Sequence, residues 1–197
     1  AAMRPVLILD CDEVLLHFVR PFADWLRAER EIELRFESFA LVGNMRFLAT
    51  GAPVEKQQFY ALLDRFFVEG HALQPPIEGA LDALRRLSAR VDPVVLTNIP
   101  ARFLDIRTRR LHALGFRFPV HANEGPKGEM VRQLASDRPA VFVDDLPAQL
   151  ESAARLAPEV GRLHMVAEPL LRELVPIAPE AHARVAGWAD AEGWIDD

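Results

Sequence analysis

The segment VLILDCDEV, residues 6–14, decides the fold of this chain. Its four leading apolar residues predict a strand buried on both faces, and Asp10 and Asp12 follow at the end of that strand. Similar apolar runs recur at residues 93–97 and 140–144, with helical patterns between them. Such alternation implies right-handed crossovers and a mainly parallel sheet. We therefore predict an α/β fold, a three-layer Rossmann-like sheet whose ligand site lies at the carboxyl ends of its strands.

Glycine and proline residues predict where several helices begin and end. A helix over residues 101–114 is expected to end at Gly115, and a shorter helix should follow Gly128. Pro147 can begin the next helix, and a late strand is predicted over residues 162–166. Strands and helices thus alternate through the second part of the chain.

Residues 17–76 interrupt this alternation, since they are helical and aromatic in pattern and contain no convincing strand. Two groups of apolar residues recur there at helical spacing, namely Phe18, Phe22 and Trp25, then Phe59, Leu62, Leu63 and Phe66. Most of these aromatic residues are expected to form a local core. We predict a small helical cap over 17–76, inserted into a core domain made of residues 3–16 and 77–197.

Composition narrows the class of protein. The chain has 197 residues, enough for one core domain with an insertion, and 50% of them are hydrophobic while 26% are charged, which excludes a disordered chain. The formal net charge of −6 disfavours binding to nucleic acid or to anionic membranes. The arginines of two helical segments are therefore expected on solvated surfaces. They are Arg85, Arg86, Arg107, Arg109 and Arg110.

The single cysteine and the lack of long apolar runs indicate the cellular compartment of the protein. Cys11 alone can form neither an intrachain disulfide nor a thiolate zinc site, so a cytoplasmic protein is expected, with a buried and inert thiol. No apolar run approaches the roughly 18 residues of a membrane span, and we expect no secretory signal. Ala1 and Ala2 precede Met3 and are expected to be a remnant of expression.

Polar residues gather where the predicted strands end. Because these ends share one edge of a parallel sheet, the side chains are expected to converge. So many carboxylates can share a site only if a cation neutralises them, and the oxygen-rich set suits Mg²⁺. The converging residues are Asp10, Asp12, Thr97, Asn98, Asp144 and Asp145.

Lys127 lies just before the helix that precedes the last of these strands and can reach the same cluster. Of the 23 basic residues only Lys56 and Lys127 are lysines, so arginine serves almost everywhere that charge alone is needed. A compact ammonium suits a phosphate or aspartate contact that a planar guanidinium would crowd.

Taken in order, VLILDCDEV, VVLTN, the lysine of GPKGE and VFVDD resemble the four motifs of the haloacid dehalogenase superfamily, in its phosphatase branch. The resemblance extends from Val6 to about Leu156. The order of the motifs also distinguishes this chain from phosphoacceptor receiver domains. In those domains the lysine follows the acidic pair, whereas here Lys127 precedes Asp144 and Asp145.

The resemblance implies catalytic roles. Asp10 would be the nucleophile that forms an aspartyl-phosphate, and Asp12 would protonate the leaving alkoxide and later deprotonate the attacking water. The Thr97 hydroxyl, the Asn98 backbone N–H and the Lys127 ammonium would bind the phosphoryl oxygens.

The resemblance also implies a metal site. Asp144 would bind Mg²⁺ together with the Asp10 carboxylate and the Asp12 main-chain carbonyl. Asp145 would be a further ligand, act through water, or pair with Lys127.

Glu13 departs from the commonest family pattern, which has glycine after the second aspartate to ease a sharp turn. This departure leaves the geometry of the loop open and adds a negative charge near the expected substrate entrance. Four residues in or beside the cap could read the leaving group of the substrate. They are His17, Arg20, Asn44 and Arg46.

The motifs together predict a Mg²⁺-dependent phosphomonoester hydrolase that acts on a small soluble phosphorylated metabolite, with a nucleotide 5′-phosphate as one suggestion. Two alternatives stay open. One is a phosphomutase with the same aspartyl-phosphate, and the other is a catalytically silent, phosphate-binding regulatory protein. The sequence does not define the oligomeric state.

Overall fold

The computed structural model describes residues 3–197, so the prediction for Ala1 and Ala2 lies outside the described residues. The strands are β1 (Val6–Leu9), β2 (Ile32–Leu34), β3 (Met45–Phe47), β4 (Asp92–Asn98), β5 (Val120–Asn123), β6 (Ala140–Asp144), β7 (Gly161–Met165) and β8 (Ala183–Val185). Six of them form one parallel sheet in the order β5-β4-β1-β6-β7-β8. The predicted α/β fold is confirmed.

Helices connect these strands. They are α1 (Val19–Arg30), α2 (Lys56–Glu69), α3 (Ala80–Leu87), α4 (Leu104–Leu114), α5 (Gly128–Ala135), α6 (Pro147–Leu156), α7 (Pro169–Arg172) and α8 (Trp188–Asp196). Short 3₁₀ turns cover His71–Leu73 and Ala101–Phe103. The helix predicted over 101–114 is therefore a 3₁₀ turn followed by α4, and Gly115 ends α4 in the left-handed conformation with φ 104°.

The central strand shows why the sheet has a helical layer on each face. Val6 and Ile8 pack into a core that includes residues of α5 and α6. Leu7 and Leu9 point to the opposite face, into a core with residues of α3 and α8. Because neither face of β1 meets water, its sequence is apolar without alternation. The predicted three-layer arrangement is confirmed.

The segment 17–76, which we call the insert, contains α1 and α2 and also an antiparallel hairpin of β2 and β3. The expectation of a purely helical insert is therefore wrong. Each strand of the hairpin has three residues, so an alternating pattern is too short to register in the sequence. Ile32, Leu34 and Met45 nevertheless bury their side chains in the core of the insert.

The aromatic residues of the insert pack as expected. Phe22 contacts Trp25 and Phe66 with ring centroids 6.2 Å and 5.1 Å apart. The same apolar cluster includes Ile99 and Phe103, which follow β4, so the insert lies against the carboxyl edge of the sheet. The division into a core domain and a cap stays a prediction.

Between residues 3 and 197, no helix has the length and apolar character needed to cross a membrane.

Candidate active site

Three adjacent strands bring the predicted residues to one edge of the sheet. Asp10 follows β1, Thr97 and Asn98 end β4, and Asp144 ends β6. Since β4 and β6 flank β1 in parallel register, their carboxyl ends lie side by side. The topology thus brings together residues far apart in the sequence.

Lys127 lies at the centre of the acidic cluster. Its Nζ donates to Asp10 Oδ1 at 2.9 Å and to Asp144 Oδ2 at 2.7 Å, and its side chain is only 2% exposed. Burial alone would lower the pKa of Lys127, but the two carboxylates outweigh it and raise that pKa above its usual value. The ammonium therefore stays charged. Lys127 thus forms ion pairs with Asp10 and Asp144, and not with Asp145, which the sequence offered as one possible partner.

Asp10, Asp144 and Asp145 form a compact set of oxygen donors. One carboxylate oxygen from each lies within 4.8 Å of the others. Burial, followed by the neighbouring carboxylates, raises the pKa values of Asp10 and Asp145, although Lys127 acts in the opposite direction on Asp10. When all three are ionised, Lys127 balances one charge and leaves two uncompensated. A hard divalent cation such as Mg²⁺ fits both this charge and these oxygen ligands.

Asp12 is held by two buried side chains that are not among the predicted site residues. Its Oδ1 accepts hydrogen bonds from Gln74 Nε2 at 2.8 Å and from Arg107 Nη1 at 2.9 Å. Gln74 belongs to the insert, whereas Arg107 lies on α4 beneath Phe67, with its guanidinium 5.2 Å from the ring centroid. The insert and the core thus hold this carboxylate jointly.

The expectation that Arg107 lies on a solvated surface is wrong, since its side chain is only 5% exposed. Arg107 precedes Leu111 by four residues, so both occupy the buried face of α4, and this spacing is the signal that could have identified it. Burial opposes the charge, but Asp12 outweighs burial and raises the pKa of Arg107. The charges of Arg107 and Asp12 therefore compensate each other.

Thr97 and Asn98 have different environments. Thr97 is buried, and its Oγ1 accepts a hydrogen bond from Arg107 Nη1 at 3.4 Å. Asn98 is exposed, and its Nδ2 donates to the carbonyl of Gly125 at 2.8 Å. Asn123 Nδ2 in turn donates to Asn98 Oδ1 at 2.9 Å. These contacts fix the loop that carries Lys127.

Glu13 occupies the position at which the commonest family pattern has glycine. Its φ of 66° lies in the left-handed region, which costs an ordinary residue about 1–2 kcal/mol. Its Oε1 accepts backbone N–H bonds from Phe18 at 2.6 Å and Val19 at 3.0 Å. Burial raises the pKa of Glu13 to about 7, although those bonds act in the opposite direction. The side chain is 3% exposed, so the charge predicted near the substrate entrance is instead buried.

Cys11 lies between the two catalytic candidates but is fully buried. Burial raises the pKa of its thiol to about 12, so the sulfur stays protonated, in agreement with the expected inert thiol.

A cavity of about 410 Å³ lies between this edge of the sheet and the insert. The predicted site residues on its surface are Asp10, Asp12, Asn98, Lys127 and Asp145. The cavity is thus continuous with the acidic cluster.

The structure does not place the four proposed leaving-group residues on this cavity. His17 and Arg20 line a separate cavity of about 890 Å³, where Arg20 Nε donates to Glu168 Oε2 at 2.8 Å. Asn44 Nδ2 donates to the carbonyl of Ala40 at 2.7 Å. Within the described residues, the lining of the 410 Å³ cavity includes none of the four, so that expectation is wrong.

A scan against models of protein families finds no match, and a search of curated proteins finds none either. Solved structures do match. A haloacid dehalogenase-like hydrolase from Streptococcus pneumoniae is 11% identical over 98% of both chains, with a TM-score of 0.69. A putative hydrolase of this family from Bacillus subtilis, YfnB bound to magnesium, is 17% identical over 98% of this chain and 99% of that one, with a TM-score of 0.68.

A predicted phosphoglycolate phosphatase from Haemophilus somnus is 14% identical over 98% of both chains, with a TM-score of 0.67. These likenesses cover nearly the whole chain, insert included. The chain has the fold of haloacid dehalogenase-like hydrolases, as its motifs predict.

Proposed function

We propose that the protein is a phosphomonoester hydrolase of the haloacid dehalogenase superfamily, dependent on Mg²⁺ and acting on a small phosphate ester. The observation that carries this proposal is the buried bridge from Lys127 to Asp10 and Asp144, with Asp145 beside it. Three converging carboxylates would repel a phosphate group unless a cation neutralises them, which favours a metal-dependent phosphoryl-transfer site over a receptor for phosphate alone.

In the proposed reaction, a carboxylate oxygen of Asp10 attacks phosphorus in line with the ester oxygen. The phosphorus–oxygen bond to the leaving group breaks, and Asp12, which must carry a proton at this step, donates it to the departing alkoxide. The product of this half-reaction is an aspartyl-phosphate on Asp10. Water then attacks this phosphorus, Asp12 accepts its proton, and inorganic phosphate leaves with Asp10 restored.

The remaining residues balance charge during transfer. Lys127 and the Asn98 backbone N–H would bind phosphoryl oxygens, on which negative charge is spread in the transition state. Mg²⁺ would be held by Asp10, Asp144 and Asp145 with the main-chain carbonyl of Asp12, and when bound it supplies charge neutralisation for the phosphoryl group. The Thr97 hydroxyl accepts a hydrogen bond from Arg107, which leaves its own O–H to donate to a phosphoryl oxygen in the proposed site.

Asp10→Asn tests the covalent step. The variant should lose about 10⁴-fold or more in turnover, because an amide cannot serve as the nucleophile. Asp137→Asn, an exposed position between α5 and β6, is the matched control and should leave turnover unchanged. Release of inorganic phosphate from a panel of esters, including nucleotide 5′-phosphates, is the assay. Retained turnover in Asp10→Asn would overturn the proposal.

The same panel separates the alternatives. A phosphomutase would produce an isomeric phosphate ester and little free phosphate, and a silent regulatory protein would bind phosphate without hydrolysing any ester. A chelator should abolish turnover and Mg²⁺ should restore it. A cytoplasmic location and a cap formed by residues 17–76 belong to the same proposal, which a localisation experiment and limited proteolysis can check.

A further inference from the structure

The wall of the 410 Å³ cavity that belongs to the insert is apolar. Phe59, Leu63 and Phe67 lie four residues apart on α2, so one face of this helix lines the cavity. Phe18 and Val19 at the start of α1 extend the same wall. The surface facing the catalytic carboxylates therefore offers burial, and its side chains offer no hydrogen bonds.

The rim of the cavity is apolar and exposed. Phe39 and Val42, from the loop between β2 and β3, are each 39% exposed while they line the cavity. Leu146, which follows Asp145 on the core side, is also 39% exposed. Exposed apolar groups on both sides of one opening gain free energy when an apolar ligand covers them.

The polar side chains of the cavity lie at its catalytic end, where most belong to the proposed phosphoryl and metal site. Of the others, Glu13 accepts two backbone N–H bonds through Oε1 and has its Oε2 buried away from the cavity surface, and Gln149 Oε1 accepts the Lys127 backbone N–H at 2.8 Å. Within the described residues, Lys127 is the only basic side chain of the lining. A leaving group with hydroxyls or a second anion would lose hydration there without gaining partners, which costs binding energy.

From this lining we infer that the natural substrate is a phosphate monoester with an apolar alkyl or aryl leaving group. The inference rests on the proposed function, since it takes the acidic cluster as the phosphoryl end of the cavity. The volume of about 410 Å³ lies within the range of roughly 300–1,000 Å³ for small-molecule sites, so the leaving group has the size of a metabolite.

A series of n-alkyl phosphates from ethyl to octyl tests the inference. The leaving alcohols are almost equally acidic, so differences along the series report burial and not chemical reactivity. We expect kcat/KM to rise about two- to fourfold per methylene until the cavity is filled. Glycerol 3-phosphate and a nucleotide 5′-phosphate should fall at least tenfold below butyl phosphate.

A flat alkyl series, or polar esters that react as fast as hexyl phosphate, would overturn the inference and leave the proposed function intact. Hydrolysis of none of these esters would instead count against the proposed function. The two failures therefore give different results in one experiment.

Two variants of the cavity rim test whether the preference for longer alkyl groups arises there. Phe39→Ser and Val42→Ser should each lower the ratio of hexyl to ethyl phosphate kcat/KM by about three- to tenfold, because they remove apolar surface from the rim. Leu156→Ser, at the end of α6 and 41% exposed, matches Phe39 in exposure but lies away from the cavity and should keep the ratio. Equal ratios in all three variants would also overturn the inference.

Discussion

Replacing Arg107 by methionine removes the cation that faces Asp12. Arg107 Nη1 donates to Asp12 Oδ1 at 2.9 Å from a side chain that is 5% exposed, and charge-assisted bonds of this kind contribute about 1.5–3 kcal/mol. Asp12 keeps the bond from Gln74 and is 23% exposed, so its charge retains some hydration. We therefore expect the free energy of unfolding to fall by about 2–3 kcal/mol, less than the 3–5 kcal/mol of a fully buried pair.

The same variant should impair catalysis in a specific way. In the proposed reaction Asp12 is the proton donor, so a side chain that is no longer held from both sides is misplaced for that role, and displacements of about 1 Å can cost about 10²-fold in rate. The loss should be large for an alkyl phosphate, whose leaving group needs a proton, and small for p-nitrophenyl phosphate, whose leaving group does not. The assay combines urea unfolding with steady-state kinetics on both esters.

Arg109→Met is the matched control on the same helix. Arg109 is 72% exposed and pairs with Asp105, so its replacement should change the free energy of unfolding by about 0.5 kcal/mol or less. Equal destabilisation by the Arg107 and Arg109 variants would refute the energetic argument. An equal loss of rate on both esters would refute the positioning of Asp12 by Arg107.

Three further predictions concern buried residues around the site. Lys127→Met leaves Asp10 and Asp144 without their ammonium, so in the presence of a chelator urea unfolding should show a loss of about 3–5 kcal/mol. Gly128→Ala would place a Cβ in steric conflict with the Ser152 carbonyl oxygen, and calorimetry should show Tm lowered by about 3–10 °C. Glu13 has a pKa of about 7 in the folded state and its ordinary value of 4.5 when unfolded, so between these two pH values it takes up a proton on folding, and its contribution to stability is lost as pH rises through 7. Urea unfolding of metal-free protein should therefore show that Glu13→Gln gains about 2 kcal/mol relative to the parent between about pH 5.5 and pH 8, and an equal difference at both pH values would contradict this reasoning.

The central strands could be predicted from the sequence because they are buried on both faces. Such strands appear as uninterrupted apolar runs, as in Val6–Leu9, and the acids that follow them mark the carboxyl edge. The edge strands Val120–Asn123 and Ala183–Val185 are partly exposed and contain polar residues, so they give no such run. The hairpin of the insert was missed because its strands are too short to establish a period.

The acidic cluster could also be predicted, because the carboxyl ends of neighbouring parallel strands lie side by side whatever their side chains contact. The partners of Asp12 could not. Gln74 belongs to a segment without regular structure in the sequence pattern, and the sequence favours a surface position for Arg107 because arginine is rarely buried without a partner. Its partner lies 95 residues away in the chain, and only the folded structure brings the two together.

Glu13 has a mechanical consequence. Its carboxylate fastens the turn after Asp12 to the first residues of α1 through two short bonds shielded from water. This joint stiffens the outgoing connection between the sheet and the insert. The returning connection is tied to this joint, since the His17 N–H donates to the Pro75 carbonyl at 2.9 Å and the Ile77 N–H donates to the Leu15 carbonyl at 2.8 Å. A swinging motion of the insert would therefore have to strain or break hydrogen bonds in both connections at once.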